Sequence, residues 1–210
     1  MQNLFLTSSI QTVAKDVAKR LDKSVKKFLF IITASEVETG DKEWLRLDRQ
    51  GVVDAGYNVE DYSISGKTLA QIVGKLAEVD GVVMAGGNTF YLLQELQQTK
   101  SMNLFRKFVS DGKVYIGSSA GSIVAGPDIY PVRRLDKISR APKLKGYKGL
   151  TLTDVVIFPH WGSDHFQDAY LRQRMHDNYN LDHKLVLLTD NQYLIVDGKN
   201  LQFVDVEKDE

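Results

Sequence analysis

Residues 114–121 read Val-Tyr-Ile-Gly-Ser-Ser-Ala-Gly, a short apolar run that leads into a serine flanked by glycines. The apolar part is typical of a buried strand, and the residues that follow are compatible with a helix. A strand, a sharp turn and a helix are the setting in which G-x-S-x-G forms a nucleophile elbow. We therefore predict that Ser119 stands at the tip of a strand, where the N–H of Ala120 can stabilise an oxyanion.

The same small residues are also typical of any tight turn between a strand and a helix, and the pentapeptide occurs by chance. The motif alone therefore leaves two interpretations open, a serine hydrolase and a plain turn. Other parts of the chain have to decide between them.

Length and composition limit the possible classes of protein. The 210 residues suffice for one α/β domain, which we expect to span residues 1–210. The 27 basic and 27 acidic residues balance, so we expect no nucleic-acid or membrane partner. The absence of cysteine excludes disulfides, cysteine-ligated metals and a thiol nucleophile. Without a signal peptide or an apolar run near ~20 residues, a cytoplasmic protein is expected, and neither a metal nor another cofactor is predicted.

Apolar runs alternate along the chain with segments of helical periodicity. Strands that alternate with helices of about 10–15 residues are typical of βαβ units and a parallel sheet. The predicted strands cover residues 3–7, 27–33, 56–63, 81–85, 113–117, 155–159, 184–189, 192–196 and 201–206. The predicted helices cover residues 10–21, 41–50, 68–78, 89–98 and 102–110.

The later part of the chain carries three more specific predictions. Residues 155–158 are apolar throughout, as a central parallel strand requires. Only Asp190 and Asn191 separate the predicted strands 184–189 and 192–196, which predicts a hairpin and an antiparallel end of the sheet. Residues 127–149 are rich in Lys, Arg, Pro and Gly, and are predicted to form a long surface excursion.

A second glycine turn, Gly86-Gly87-Asn88-Thr89, directly follows the predicted strand 81–85. Free N–H groups are expected there, with Asn88 or Thr89 as the N-cap of the next helix. Phosphate binding is an alternative, but the run matches neither G-x-G-x-x-G nor a P-loop. Beside the elbow, the N–H of Gly87 can supply a second donor to an oxyanion.

A serine nucleophile needs a general base, which is usually a histidine oriented by an acid. Of the four histidines, His160 follows a predicted strand, whereas His176 and His183 fall in a helix and a loop. Because ligands bind at the carboxyl ends of parallel strands, we expect His160 and Ser119 to meet. The alternative for His160 is an inert histidine at the end of a strand. His165, in the loop that follows, can line a pocket or face solvent.

Three motifs in order resemble the serine peptidase family of peptidase E (aspartyl dipeptidase) and cyanophycinase. They are 86–90, the elbow followed by Pro-Asp-Ile at 127–129, and Phe-Pro-His-Trp at 158–161. The resemblance spans nearly the whole chain. It implies a three-layer α/β sandwich with a mostly parallel, flavodoxin-like central sheet, akin to class I glutamine amidotransferases.

The resemblance also implies roles for individual residues. Ser119 becomes the nucleophile and His160 the base, Gly87 and Ala120 form the oxyanion hole, and Asn88 lies near the substrate. The implied activity is serine-type hydrolysis of short peptides, by a dipeptidase or an exopeptidase.

The third member of the triad is left open by the resemblance. Peptidase E carries an acid after the elbow, but the matching position near Pro131 or Val132 holds no carboxylate, and Asp136 lies further on. Family members also place an acid in a turn between strands near the C-terminus, where Asp190 stands. We favour Asp190, because the end of a core strand is a rigid platform. Asp164 is a further alternative.

Substrate recognition is the least defined part of the resemblance. In peptidase E a basic residue early in the helix after the histidine binds the aspartate of the substrate. That place falls near Leu171, with Arg172 and Arg174 beside it. Either arginine can bind a carboxylate bidentately, or both can lie on a solvated face.

The sequence is therefore compatible with three functions. The favoured one is a peptidase that forms an acyl-enzyme on Ser119 and takes a small peptide as its partner, with a homodimer possible. The first alternative is an esterase of the α/β-hydrolase type. It is disfavoured because in those enzymes the acid precedes the histidine along the chain, whereas here Asp190 follows His160. The second is a flavodoxin-like protein that binds phosphate or nucleotide without catalysis.

Overall fold

The computed structural model describes residues 3–133, 136–178 and 182–206, and of residues 173, 174, 176 and 177 it describes the backbone alone. The strands are β1 (Leu4–Thr7), β2 (Lys27–Ile31), β3 (Asn58–Tyr62), β4 (Gly81–Met84), β5 (Val114–Ser118), β6 (Val155–Phe158), β7 (Lys184–Leu187), β8 (Gln192–Asp197) and β9 (Asn200–Asp205). The helices are α1 (Ile10–Arg20), α2 (Glu43–Asp54), α3 (Leu69–Ala77), α4 (Thr89–Gln98), α5 (Met102–Ser110) and α6 (Ala120–Ala125).

After β6 the chain forms a helical segment over Gln167–Ala169, Tyr170–Arg174 and Met175–Asn178, with π-helical backbone in its middle part. Within the described ranges, no helix combines the length and the apolar character needed to cross a membrane.

The main sheet has seven strands in the order β3-β2-β4-β5-β1-β8-β9. The first five run parallel, and β8 and β9 close the sheet with antiparallel pairs. Sequential strands that lie apart in this order are joined by helices across the faces, as parallel pairing requires. The predicted fold class is confirmed, with a mostly parallel sheet and an antiparallel C-terminal edge.

Helices cover both faces of this sheet and make the fold three layers deep. On one face α1 buries Val13 and Val17 together with Val52 of α2. On the other face α4 and α5 bury Phe90 and Phe105 in a second core cluster. The buried positions of α1 recur every three or four residues, which explains why this sequence forms a helix that lies on a sheet.

The predicted hairpin around Asp190 and Asn191 is wrong. Strand β7 pairs in parallel with β6, and the two form a separate two-stranded sheet. Residues 190–191 instead lead the chain from this small sheet to the antiparallel end of the main one, where β8 lies between β1 and β9. The hairpin of the structure joins β8 to β9 through Gly198, whose φ of 60° suits a tight turn.

Two further predictions need correction. Strand β6 is buried along its length, as expected, but its described partner is β7 and it does not lie in the main sheet. In its described residues, the excursion at 127–149 contains short 3-10 turns and two isolated bridges, and it is not wholly superficial. Its side chains Ile129, Val132 and Ala141 are buried in the core, so apolar anchors hold it against the domain.

Candidate active site

The elbow at Ser119 has the sharp backbone expected of its motif. Ser119 has φ 49° and ψ −108°, a conformation that is unfavourable for a residue with a side chain. The flanking glycines are required by close contacts. A Cβ on Gly117 would lie 2.6 Å from the nitrogen of Ser122, and one on Gly121 would lie 1.9 Å from the carbonyl oxygen of Met84.

Contacts with the end of β1 hold this strained turn in place. The N–H of Ser119 and the hydroxyl of Ser122 both donate to the carbonyl of Thr7, at 3.1 and 2.7 Å. The hydroxyl of Thr7 donates in return to the carbonyl of Gly117 at 2.8 Å. The strain at Ser119 is thus held by its surroundings, a pattern that is common at functional sites.

Three side chains that lie far apart in sequence meet at this elbow. The Nε2 atom of His160 lies 3.0 Å from the Oγ of Ser119, and its Nδ1 atom lies 2.7 Å from the Oδ1 of Asp190. The side chain of His160 is 21% exposed and that of Asp190 is 46% exposed, so the group is open to solvent on one side. Hydroxyl, imidazole and carboxylate therefore stand in a hydrogen-bonded line.

The electrostatics of Asp190 are consistent with this arrangement. Burial by itself raises the pKa of Asp190, but hydrogen bonds from His160 and Ser8, together with the charge of His160, outweigh it and lower the pKa. An ionised carboxylate can only accept, so it holds the proton on Nδ1 of His160. Nε2 is then free to accept the proton of the Ser119 hydroxyl.

The other two candidate acids lie elsewhere. Asp136 accepts the N–H of Thr89 at 2.8 Å, at the start of α4. Asp164 is exposed in a short 3-10 turn after β6. Among the described contacts of the three candidate acids, the bond to His160 belongs to Asp190.

The glycine turn after β4 passes directly beside the elbow. The Cβ position of Gly86 lies 3.4 Å from the Cβ of Ser119. Gly87 has φ 124°, and a side chain there would lie 2.4 Å from the carbonyl oxygen of Ala34, so only glycine fits. Among the described residues, neither the N–H of Gly87 nor that of Ala120 donates to a protein acceptor. Both donors remain available to a ligand.

The remaining candidates have other surroundings. Asn88 is the N-cap of α4, one of the two caps predicted, and its side chain accepts from the N–H of Tyr91 and donates to the carbonyl of Lys137. Its described contacts therefore hold the turn. Arg172 is 80% exposed and pairs with Asp168 at 3.3 Å, which matches the solvated-face alternative. The side chain of Arg174 lies outside the described part of the chain.

Ser8 is a site residue that the sequence did not reveal. Its hydroxyl donates to Oδ1 of Asp190 at 2.6 Å and accepts from the backbone N–H of His160 at 2.7 Å, and the residue is fully buried. A single serine after a first strand carries no pattern of its own. The available signal was its place at the carboxyl end of β1, the edge of the sheet where ligands bind.

Two aromatic rings flank the same group of side chains. Phe166 stacks on the imidazole of His160 with ring centroids 5.0 Å apart and planes inclined by 13°. The Cζ3 atom of Trp44 lies 3.4 Å from the Cβ position of Gly86, the same point that approaches Ser119. Trp44 and Phe166 are both partly exposed, so they present apolar surface beside the open side of the site.

A buried carboxyl group lies behind the elbow. Asp48 of α2 is 5% exposed and accepts from the hydroxyl of Ser118 at 2.7 Å and from the N–H of Gln11 at 3.1 Å. Burial raises the pKa of Asp48 to about 6, although these hydrogen bonds and the charge of His160 act to lower it.

The raised pKa of Asp48 predicts a pH dependence of stability. Its contribution is fully present below the unfolded value of 3.8 and is lost as the pH rises through about 6, because the folded protein binds this proton more tightly. The shift corresponds to roughly 3 kcal/mol. The test is urea unfolding of the wild type and Asp48→Asn at several pH values. The difference in their free energies of unfolding, wild type minus variant, should fall by this amount from acid to neutral pH. A difference that is constant or rises with pH would contradict the assignment.

Comparisons with known proteins point to one family. The model of peptidase family S51 matches residues 4–204 of the chain. An uncharacterized peptidase of Pasteurella multocida is 33% identical, over 95% of this chain and 99% of its own length. A peptidase E of Shewanella denitrificans is 31% identical, over 71% of this chain and 60% of its own.

Solved structures give the same result. A crystal structure of a peptidase E-type protein from Listeria monocytogenes EGD-e superposes with a TM-score of 0.88 and 28% identity, covering 99% of this chain and 100% of its own. A peptidase from an acI-B1 actinobacterium, with a TM-score of 0.70 and 18% identity over 98% of this chain and 88% of its own, supports the fold. The chain belongs to peptidase family S51 and is a serine peptidase.

Proposed function

We propose that this peptidase hydrolyses short peptides through an acyl-enzyme on Ser119. The observation that carries the proposal is the hydrogen-bonded line from Ser119 through His160 to Asp190, at 3.0 and 2.7 Å. A nucleophile bonded to a base that is itself oriented by an acid is the arrangement required for acyl transfer. The free N–H groups of Gly87 and Ala120 lie beside it.

In the first step the Oγ of Ser119 attacks the carbonyl carbon of the scissile bond while Nε2 of His160 takes its proton. The carbonyl oxygen becomes an oxyanion, which the N–H groups of Gly87 and Ala120 stabilise. Asp190 stabilises the imidazolium that forms. His160 then gives the proton to the leaving amine, the C–N bond breaks, and the acyl group stays on Ser119 as an ester.

In the second step a water molecule attacks the ester carbon while Nε2 of His160 takes one of its protons. The oxyanion forms again against the same N–H groups. When it collapses, the bond to Oγ breaks and His160 returns the proton to Ser119. The peptide bond has then been exchanged for a free amine and a carboxylic acid, and the enzyme is restored.

The preference for short peptides rests on similarity. Similar proteins from Shewanella denitrificans and Nostoc are named peptidase E. We do not extend this to aspartate specificity, because the side chain of Arg172 is 80% exposed and pairs with Asp168.

A panel of dipeptides with varied first residues, assayed beside p-nitrophenyl acetate, tests the function. We expect cleavage of dipeptides by the wild type and none by Ser119→Ala. Efficient ester turnover without dipeptide cleavage would favour the esterase alternative. The family assignment already argues against a non-catalytic nucleotide-binding protein, for which copurified nucleotide would be the evidence.

Replacement of Ser8 by alanine is expected to lower kcat/KM about 10-fold or more, because Asp190 and the backbone of His160 both lose a partner. The hydrogen bond from Ser8 lowers the pKa of Asp190, so the variant should also show an altered acid limb in its pH–rate profile. Steady-state kinetics across pH on the best dipeptide measures both effects.

Ser101→Ala provides the matched control for this variant. Ser101 is also fully buried and bonded through its hydroxyl, to Thr99 at 2.8 Å, but it lies at the start of α5. We expect the control to change stability and to leave kcat/KM near the wild-type value. Equal kinetics for the two variants would show that Ser8 has no special role at the site.

A further inference from the structure

Asp48 joins the nucleophile elbow to the start of α1, two segments that position side chains of the proposed triad. On one side its Oδ2 accepts the hydroxyl of Ser118, the residue directly before Ser119. On the other side its Oδ1 accepts the N–H of Gln11 in the first turn of α1. The hydroxyl of Ser118 also accepts the N–H of Ile10 at 3.1 Å, so the two segments are bonded to each other as well.

The start of α1 depends on this carboxylate for its capping. Ser9 occupies the N-cap position but makes no capping hydrogen bond with its own side chain. Asp48 and Ser118 satisfy the first N–H groups in its place, and a negative charge at a helix N-terminus is favourable. Ser8, which holds Asp190 and His160, lies immediately before this start.

We propose that Asp48 is a positioning residue of the peptidase, which fixes the nucleophile elbow and the Ser8 segment relative to each other. This inference rests on the proposed function. Asp48 lies behind the elbow, so it acts through Ser118 and α1 and not on the substrate. A displacement of about 1 Å at a catalytic group can cost around 100-fold in rate, so a buried carboxylate that links two segments of the site can control activity.

The bonds from Ser118 and Gln11 to Asp48 depend on its ionisation. The groups that face it are the hydroxyl of Ser118 from β5, Ser9 and the N–H of Gln11 at the start of α1, and at longer range the imidazole of His160. All three hydrogen-bonding groups donate to the carboxylate, so a proton on Asp48 competes with a donor. With a pKa of about 6, this competition begins in mildly acidic solution.

The experiment compares the wild type with Asp48→Asn and Ser118→Ala, using labelling of Ser119 by a fluorophosphonate probe and dipeptide kinetics across pH. At neutral pH both variants should be labelled about 10-fold more slowly or worse, and kcat should fall more than KM changes. The acid limb of log(kcat/KM) should be steeper in the wild type than in Asp48→Asn, because only the wild type also loses an ionised Asp48 as the pH falls.

Asp80→Asn is the matched control. Like Asp48, Asp80 accepts from the backbone at the start of an element: its carboxylate accepts the N–H groups of Lys26 and Lys27 at the start of β2, at the opposite end of the strand from the site. This variant should lose stability and keep the labelling rate and acid limb of the wild type.

The outcomes separate this inference from the proposed function. Failure of the probe to label Ser119 in the wild type would contradict the proposed function itself. Normal labelling of the wild type, with Asp48→Asn or folded Ser118→Ala labelled equally fast and an unchanged acid limb, would overturn the role of Asp48. If Asp48→Asn does not fold, Ser118→Ala decides, because it breaks the link to the elbow and keeps the bond to Gln11.

Discussion

Ser119→Ala is expected to lower kcat/KM for dipeptides by about 10⁴-fold or more, because no other group can form the acyl-enzyme. The described hydrogen bond of the Ser119 hydroxyl is the one to His160, so its loss should change the melting temperature little. Kinetics on purified protein, together with thermal unfolding, measures both quantities. Retention of a tenth of the activity would contradict the assignment of the nucleophile.

Ser122→Ala is the matched control within the same motif. Its hydroxyl donates to the carbonyl of Thr7 at 2.7 Å and is fully buried, so its loss should reduce stability by about 1 kcal/mol or more. The nucleophile and the base remain in this variant. At temperatures where the variant is folded, we therefore expect a far smaller loss of activity than in Ser119→Ala, although the Ser122 hydroxyl helps to hold the elbow.

Asp190→Asn is expected to lower kcat/KM by about 10³ to 10⁴-fold. An asparagine can present an N–H to Nδ1 of His160, which would place the imidazole proton on Nε2 and prevent that atom from accepting the proton of Ser119. Burial changes little, so the variant should fold. Its kcat/KM at neutral pH and its rate of labelling at Ser119 should fall together.

Two other variants test the choice of the acid. Asp164→Asn should behave as the wild type, since Asp164 is exposed. Asp136→Asn should lower stability, because its carboxylate accepts the N–H of Thr89 at the start of α4. A larger loss of kcat/KM in Asp136→Asn than in Asp190→Asn would assign the third member of the triad to Asp136.

The architecture was largely predictable because two periodicities alternate cleanly along the chain. Helices such as α4 and α5 begin and end where predicted, and α2 runs further than expected, to Asp54. The prediction of a hairpin before β8 was wrong because a two-residue connection does not specify which strand β8 pairs with. Two residues can form a tight turn or can connect strands of different sheets. Here β8 pairs with β1 and not with the strand that precedes it.

The site was predictable to the extent that motifs mark it. Glycines at 117 and 121 are forced by contacts under 3 Å, so the pattern around Ser119 carries structural information in itself. Ser8 and Asp48 carry no such pattern. Their roles come from contacts between residues far apart in sequence, 182 positions for Ser8 and Asp190, which only the packing of the sheet and helices creates.

The most direct test of the account is to map the residue that a fluorophosphonate modifies in the wild-type enzyme. Trypsin should release the modified residue within the peptide 114–133, and fragmentation of that peptide distinguishes Ser119 from its neighbours Ser118 and Ser122. We predict a single adduct on Ser119, formed much more slowly in Asp190→Asn. An adduct on another serine, or no adduct in an enzyme that still cleaves dipeptides, would contradict the mechanism.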